Sequence, residues 1–353
     1  MEGFMREQAR LHPAMRPRDA LKCCYQAALG AEHLLCDPAR ARDSLRHELD
    51  TCPASSAAPL LEALAPDTCR ISLPAWKAAG LPESWLAEFF ARSCAPRADG
   101  EERFLCCLQA VDALAASGAL PFDRDAWQAE KQAYLAEGIH PVHHSETYRA
   151  AEHPAYRVVD FRYARLVMLL ARIDLKKRAI IALDGRCASG KTTLAGDLEQ
   201  ICGASAIHMD DFFLPMELRT AKRLESPGGN VHYERFITDV LPGLRRGRAF
   251  AYPRFDCGIM ALKDSRAVPE ASIYIVEGAY SCHPALGNYM TLRAFSDITP
   301  QEQQRRLLNR NGKAGLENFN ARWIPLEEAY INAYGIREKA HIILPAQAPS
   351  PGM

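Results

Sequence analysis

The segment Gly185-Arg186-Cys187-Ala188-Ser189-Gly190-Lys191-Thr192 follows the pattern G-x-x-x-x-G-K-[ST]. Those residue types at that spacing suit a polyphosphate. Glycines let a backbone wrap an anion without Cβ clashes. The N–H groups of such a loop, with the start of the helix behind it, supply the anion site. Lys191 is placed to reach the β- and γ-phosphates, and Thr192 to offer an oxygen to Mg²⁺. An apolar run, Ala179–Leu183, precedes the loop as an expected strand, and Thr193-Leu194-Ala195 continues it as an expected helix. Residues 185–193 are therefore expected to bind ATP.

Further residues offer chemistry to a phosphoryl group held there. His208-Met209-Asp210-Asp211-Phe212-Phe213 follows an expected second strand, Ala206–His208. Ligands of open α/β sheets bind at the carboxyl ends of strands. A carboxylate there can take the proton of an attacking hydroxyl, which is the role expected of Asp210. Glu277-Gly278 ends the apolar run Ile273–Val276, where an acid reaches the Mg²⁺ shell. Thr192 and Glu277 are thus the expected metal ligands. Arg306 and Arg310 stand four residues apart on one expected helix face. They suit a lid over the phosphates, with Arg306 on ATP and Arg310 beside Lys191 and Asp210 as a catalytic residue. Tyr252, Arg254 and Asp256 put an aromatic, a cation and a carboxylate within one short segment, as recognition of a polar ring or sugar would need. Each reading has a plainer rival: a turn acid at Asp210, a surface ion pair at Glu277, solvated helix charges at 306 and 310, a turn with core aromatics at 252–256. The chain contains no N-K-x-D, which would favour guanine, and no L-S-G-G-Q, which would favour a transporter ATPase.

The elements that must carry these residues change character along the chain. Helical patterning covers Ala20–Leu35, a helix opened by Asp37-Pro38 and running to Leu49, and the stretches 59–65, 83–93, 101–117 and 121–137, with Asp37 as an N-cap. Cys52–Ala58 and Gly138–Pro154 look irregular. β-branched residues are scarce here, so residues 1–155 are expected to form an all-α domain. An amphipathic helix over 156–177 would join the halves. Beyond it, short β-type runs at 179–183, 206–208, 273–276, 291–295 and 342–344 alternate with helices at 191–201, 233–245, 300–310 and 326–335. That alternation predicts an α/β domain over 178–345 with a mainly parallel sheet covered on both faces, followed by a frayed tail at 346–353.

Composition narrows the classes. The 353 residues are 48% hydrophobic and carry 43 basic and 43 acidic side chains, which excludes global disorder and a nucleic-acid binder working by bulk positive charge. The balance conceals a split: residues 1–160 hold 17 basic and 23 acidic side chains, leaving 26 and 20 in the rest. The basic half is the one with the phosphate loop, as an anionic ligand would favour. The charged N-terminus has no signal-like apolar core, and Leu166–Leu170 is far too short to span a membrane. Twelve scattered cysteines form no C-x-x-C, so reduced thiols in a cytoplasmic protein are expected. His140, His143, His144 and Glu146 cluster in sequence, either as a metal site or as a loop contact.

Taken in order, these motifs resemble the uridine kinase and phosphoribulokinase family of P-loop kinases over about 178–345. Lys191 and Thr192 align with its phosphate loop, and Asp210 with the carboxylate of its Q-D-S-F-Y. Asn230–Phe236 is similar to its Asn-Phe-Asp-His-Pro segment, Pro253–Asp256 to its P-x-Y-D-F, Glu277-Gly278 to its E-G, and Arg306–Asn311 to its R-L-x-x-R-D lid entry. The resemblance implies a kinase using ATP and Mg²⁺ to phosphorylate a hydroxyl of a small nucleoside-like or sugar-like metabolite. Asp210, Asp211, Phe213, Asn230, Tyr233, Tyr252, Arg254 and Asp256 would hold that substrate. Neither a membrane nor a nucleic acid is an expected partner, and a homo-oligomer is compatible. Three departures keep other substrates open. Gly258–Lys263 lacks the His and Arg that follow P-x-Y-D-F in the uridine kinases. The lid reads Asn311-Gly312-Lys313 rather than E-R-G-R. A polar stretch, Glu217–Asn230, is inserted. A non-nucleoside alcohol (pantothenate, glycerate or a phosphosugar) and an ATP-sensing module with little turnover remain the alternatives.

Overall fold

The computed structural model describes residues 1–31, 38–95 and 97–346. The chain divides into two compact units, Met1–Ala164 and Arg165–Ala346. The N-cap expected at Asp37 and the tail 347–353 lie outside the described residues.

The first unit opens with α1 (Glu2–Leu11), α2 (Pro17–Leu29) and α3 (Pro38–Thr51). The hairpin β1 (Leu61–Ala65) and β2 (Thr68–Ser72) comes next, followed by α4 (Leu73–Ala78), α5 (Glu83–Arg92), α6 (Gly100–Ala116), α7 (Arg124–Ala136) and α8 (Glu146–Glu152). β3 (Tyr156–Asp160) closes a three-stranded antiparallel sheet of order β1-β2-β3. The all-α expectation is therefore corrected. Leu61–Ala65 has helical composition, but Pro66-Asp67 turns the chain so that Leu61 pairs with Ile71 and Ala65 with Thr68. Tertiary pairing overrides propensity there. Likewise, the joining helix expected from 156 begins as a strand whose Val158 and Val159 face Arg70 and Cys69. Helix α9 occupies only Phe161–Leu170, and the irregular 138–154 stretch contains α8, capped by Ser145 Oγ accepting from Tyr148 N. The core gathers Met5, Leu21, Phe104 and Trp127.

The second unit is α/β. Its five strands are β4 (Ala179–Gly185), β5 (Ser205–His208), β8 (Ile273–Glu277), β9 (Leu292–Asp297) and β10 (Ile342–Pro345), in the order β10-β9-β4-β8-β5 with every pairing parallel. Central β4 is buried along its whole length, which explains its unbroken apolar run. Helices α10 (Lys191–Cys202), α11 (Ala221–Glu225), α12 (Tyr233–Asp239), α13 (Leu241–Arg246), α14 (Pro300–Asn318) and α15 (Ile324–Tyr334) connect the strands. The single helix expected over 233–245 breaks at Val240, with Pro242 in the first turn of α13. The helix expected to end at 310 continues to Asn318, kinked at Gly312 (φ 67°), and passes through a π-helical turn, Phe319–Trp323, into α15. Tyr252–Cys257, expected as a turn or ligand loop, begins an antiparallel hairpin of β6 (Phe250–Asp256) and β7 (Ala261–Val268) outside the parallel sheet. Among the described residues, no helix is long and apolar enough to cross a membrane.

Candidate active site

The phosphate loop leaves β4 where the strand order switches, with β8 on one side of β4 and β9 on the other. Gly185 stands opposite Ser296 in the β4–β9 register. A Cβ there would lie 2.1 Å from Ser296 O, and its φ is +133°, so only glycine fits. The loop then turns through left-handed Ala188 (φ 59°) and Gly190 (φ 88°) into α10. The carboxylate of buried Asp184 anchors the start of the loop. It accepts from Gly185 N (2.7 Å), Cys282 N (2.9 Å), Tyr280 N (3.2 Å) and Tyr330 Oη (2.7 Å). Burial pushes this carboxyl above its ordinary range despite those bonds.

Lys191 is buried, and its Nζ donates to Gly185 O (2.8 Å) and Arg186 O (2.9 Å). Thr192 Oγ1 donates toward Glu277 and lies 3.2 Å from each carboxylate oxygen. The register explains that meeting: Glu277 pairs with Leu183 on one side and His208 on the other. His208 Nδ1 lies 2.6 Å from Glu277 Oε1. Thr192 and Glu277 thus offer an oxygen-only donor pair, the kind a hard divalent cation such as Mg²⁺ prefers.

Lys191, Thr192, Thr193, Asp210, Phe213, Glu277, Arg306 and Arg310 line one cleft of about 410 Å³, together with Cys187, Ala188 and Gly190. Asp210 sits beyond Glu277 at the carboxyl edge of the sheet. Its side chain is exposed to solvent in the cleft, but the protein packed around it, then the Glu277 charge, raise its carboxyl above the ordinary range, while Lys191 opposes the shift. Burial also pushes the Cys187 thiol up to about 12, so this cysteine is a wall rather than a thiolate. Arg306 Nη1 donates to Ala188 O (3.2 Å), with its Nε on Glu302 (2.7 Å). Arg310 lies over the Phe319 ring at 5.6 Å.

Other residues singled out from sequence stand elsewhere. Arg186 points away from the cleft and pairs with Asp297 and with Glu328 (2.6 Å). Asp211 turns from the cleft: its Oδ2 accepts from Tyr252 Oη (2.9 Å) and lies 3.1 Å from Arg266 Nε, while Arg235 donates to its carbonyl. Tyr252 is fully buried. Arg254 pairs with Asp264, and Asp256 with Gly258 N (2.7 Å) and Lys263 (3.3 Å), all on the hairpin. Tyr233 stacks on His283 at 5.0 Å and accepts from Arg223, and Asn230 is buried. None of these seven is among the cleft-lining residues. In the first unit, His144 is buried between Asp19 (2.8 Å) and Tyr156 (2.7 Å), and His140 Nδ1 faces Gly138 O (2.8 Å). Among the described residues, no group of three or more His, Cys, Asp or Glu is arranged to hold a metal.

The sequence reading missed several cleft residues. Glu327 lines the cleft and accepts from Cys187 N (2.8 Å), and burial raises its carboxyl. Trp323 and Phe319 come from the π-helical turn, with Trp323 5.8 Å from the Phe213 ring. His208 carried a signal, two residues before Asp210 at a strand end. Glu327 and Trp323 carried none: they lie in α15 and the π-helical turn before it, far along the chain from the phosphate loop.

No family model matches the chain, and no curated protein does. Among solved structures, a candidate uridine kinase from Bacillus stearothermophilus is similar at 18% identity, over 52% of this chain and 97% of that one, with a TM-score of 0.40. A candidate fructose transport system kinase from Silicibacter is similar at 21% identity, over 52% of this chain and 98% of that one, also with a TM-score of 0.40.

Proposed function

We propose that the second unit is an ATP- and Mg²⁺-dependent kinase that moves the γ-phosphoryl group of ATP to a hydroxyl of a small metabolite. One observation carries the reading. A loop with phosphate-binding spacing opens on the same cleft as two carboxylates, buried Glu277 at the end of β8 and solvent-exposed Asp210 in the turn after β5. A nucleotide sensor has no use for a hydroxyl base beside its phosphate site. Thr192 and Glu277 would hold Mg²⁺, which would supply positive charge to offset that of the phosphates. Lys191 exchanges the loop carbonyls it holds at rest for phosphate oxygens. Asp210 orients the acceptor hydroxyl and takes its proton, and the raised pKa makes it a better acceptor for that proton. Arg306 and Arg310 close over the charge that develops between donor and acceptor oxygens, so catalysis is mainly positioning and electrostatics.

The acceptor has two readings. A nucleoside-like alcohol is what the motif order implies. A non-nucleoside alcohol is favoured by the engagement of Arg254 and Asp256 within the hairpin, since the segment implied to grip a nucleoside has its charges already paired. An ADP-release screen over nucleosides and metabolite alcohols decides between them. A nucleoside that raises ADP release above a Lys191→Ala background supports the first reading. Release only with sugar or acid alcohols supports the second. If ATP binds and no alcohol raises release, the kinase reading fails.

A further inference from the structure

Arg165, the first residue of the second unit, lies at the back of the phosphate loop. It comes from α9, ahead of β4, and no motif contains it. Its guanidinium is buried. One nitrogen, Nη2, donates to Ser296 Oγ (2.6 Å), which in turn donates to Ser189 O (3.2 Å) inside the loop. The Nη1 atom stands 3.1 Å from where a Gly190 Cβ would be, and an Arg306 nitrogen stands 3.9 Å from the same point. The Nε atom is buried without an acceptor, as is the hydroxyl of neighbouring Ser189. No carboxylate faces Arg165 among the described residues. The charged group that bears on it is Arg306, and burial with that repulsion draws its pKa down to about 10. Arg306 has Glu302 at 2.7 Å, but Glu302 is shared with Arg305 at 2.6 Å.

A guanidinium stays charged in a protein, and a buried charge normally has a partner of opposite sign. Two guanidiniums, those of Arg165 and Arg306, converge on Gly190; Arg306 shares Glu302 with Arg305, and Arg165 has no carboxylate among the described residues. The missing negative charge is supplied by what the loop binds. We infer that Arg165 is a positioning residue for a polyphosphate: it fixes the Ser189–Gly190 peptide through Ser296 and leaves behind the loop a positive charge that the ligand neutralises. The inference rests on the nucleotide-loop reading and adds to it a residue outside the loop. It also gives the loop a preference for highly charged ligands, with triphosphate favoured over monophosphate.

The test uses the full chain with Arg165→Met and Arg165→Lys, and reads melting temperature and binding of ATP, AMP and inorganic tripolyphosphate at low and high salt. Replacing an unpaired buried charge by an apolar side chain is neutral or stabilising. Arg165→Met is therefore expected to keep or raise the melting temperature of the ligand-free protein. It should weaken ATP and tripolyphosphate by about ten- to a hundredfold, the range of a charge-assisted contact, and AMP by much less. It should also flatten the salt dependence of ATP binding. Arg165→Lys retains the charge and should restore most of the affinity. The inference is overturned if Arg165→Met lowers the melting temperature while ATP affinity is unchanged, which marks a purely structural arginine, or if both are unchanged. It is equally overturned if ATP and AMP weaken alike. If Arg165→Met does not fold, Arg165→Lys decides: loss of ATP binding in a folded lysine variant contradicts a role based on charge. Should the native chain bind neither ATP nor tripolyphosphate, the nucleotide-loop reading itself has failed, which the native arm reports separately.

Discussion

His208 Nδ1 lies 2.6 Å from Glu277 Oε1, and the two residues are register partners on adjacent parallel strands. The contact holds the Glu277 carboxylate in line with Thr192 Oγ1, 3.2 Å away on the first turn of α10. Groups that orient a ligating carboxylate typically matter about 10–100-fold to metal affinity. His208→Phe is therefore expected to raise the Mg²⁺ concentration for half-maximal activity by about that factor. His208→Asn, which keeps a donor, should do so less. A magnesium titration of ADP release at saturating ATP checks this, and an unchanged midpoint would show that Glu277 needs no support.

Adjacent Asp210 and Asp211 separate two kinds of effect. Asp210 lines the cleft, while Asp211 holds Tyr252 and Arg266 beneath it. Asp210→Asn should lower kcat by about 10²–10⁴-fold, the usual contribution of a general base, with ATP affinity nearly unchanged and the melting temperature not lowered at neutral pH. Asp211→Ala should remove the charged hydrogen bond from Tyr252, worth about 1.5–3 kcal/mol, together with the Arg266 ion pair, and lower the melting temperature, with turnover preserved in the folded fraction. Steady-state kinetics beside thermal unfolding distinguishes the two, and reversed effects would contradict the assignment.

The contrast also marks what the sequence could carry. Lys191, Thr192, Asp210 and Glu277 were legible because each ends or closely follows a strand flagged by an apolar run, and parallel strands bring their carboxyl ends together. Arg186 was not, since its partners Asp297 and Glu328 lie 111 and 142 residues along the chain. Tyr252 was not, because a buried aromatic in a hairpin and one in a ligand loop have the same local sequence. The first unit was misread where Leu61–Ala65 is held by pairing with Thr68–Ser72, whose other edge is β3, far along the chain. Helix propensity is a local quantity and does not see such pairing.

Activity should depend on pH through Asp210. Its carboxyl is raised by the protein packed around it and by Glu277, and only the ionised form accepts a proton. The rate is expected to rise with pH through that raised pKa, so the acid limb of kcat/KM lies above the ordinary aspartate value of about 4. Stability has the opposite sign at this residue. A carboxyl raised on folding binds its proton more tightly in the folded state, so its contribution grows as pH falls from the raised pKa toward the unfolded value. Asp184 and Glu327 are raised by burial and act in the same direction. Glu302, lowered to about 2 by Arg305 and Arg306, acts in reverse, and its contribution is lost as pH falls from the usual glutamate range toward 2. A kcat/KM profile with an acid limb near 4 would contradict the raised Asp210. Melting curves of the Asp210→Asn variant across pH 4–7 should lie flatter than those of the native chain.

Glycine is needed at 185 for a reason that separates it from other left-handed glycines. A Cβ at Gly185 would stand 2.1 Å from Ser296 O, on a backbone φ of +133°. The obstructing atom belongs to β9 and cannot move without opening the β4–β9 ladder, in which Gly185 pairs with Ser296. Gly118 also has a left-handed φ of +69°, yet nothing lies within 4 Å of its would-be Cβ. Gly118→Ala is expected to cost about 1–2 kcal/mol, the strain of a left-handed alanine alone, with nucleotide affinity untouched. Gly185→Ala adds the clash to the strain. It should lower the melting temperature further and abolish ATP binding in whatever fraction remains folded, because the loop can relax only by leaving Ser296. Paired thermal-shift measurements with and without ATP check this, and equal behaviour of the two variants would mean that φ, and not the approach to β9, decides what residue 185 can be.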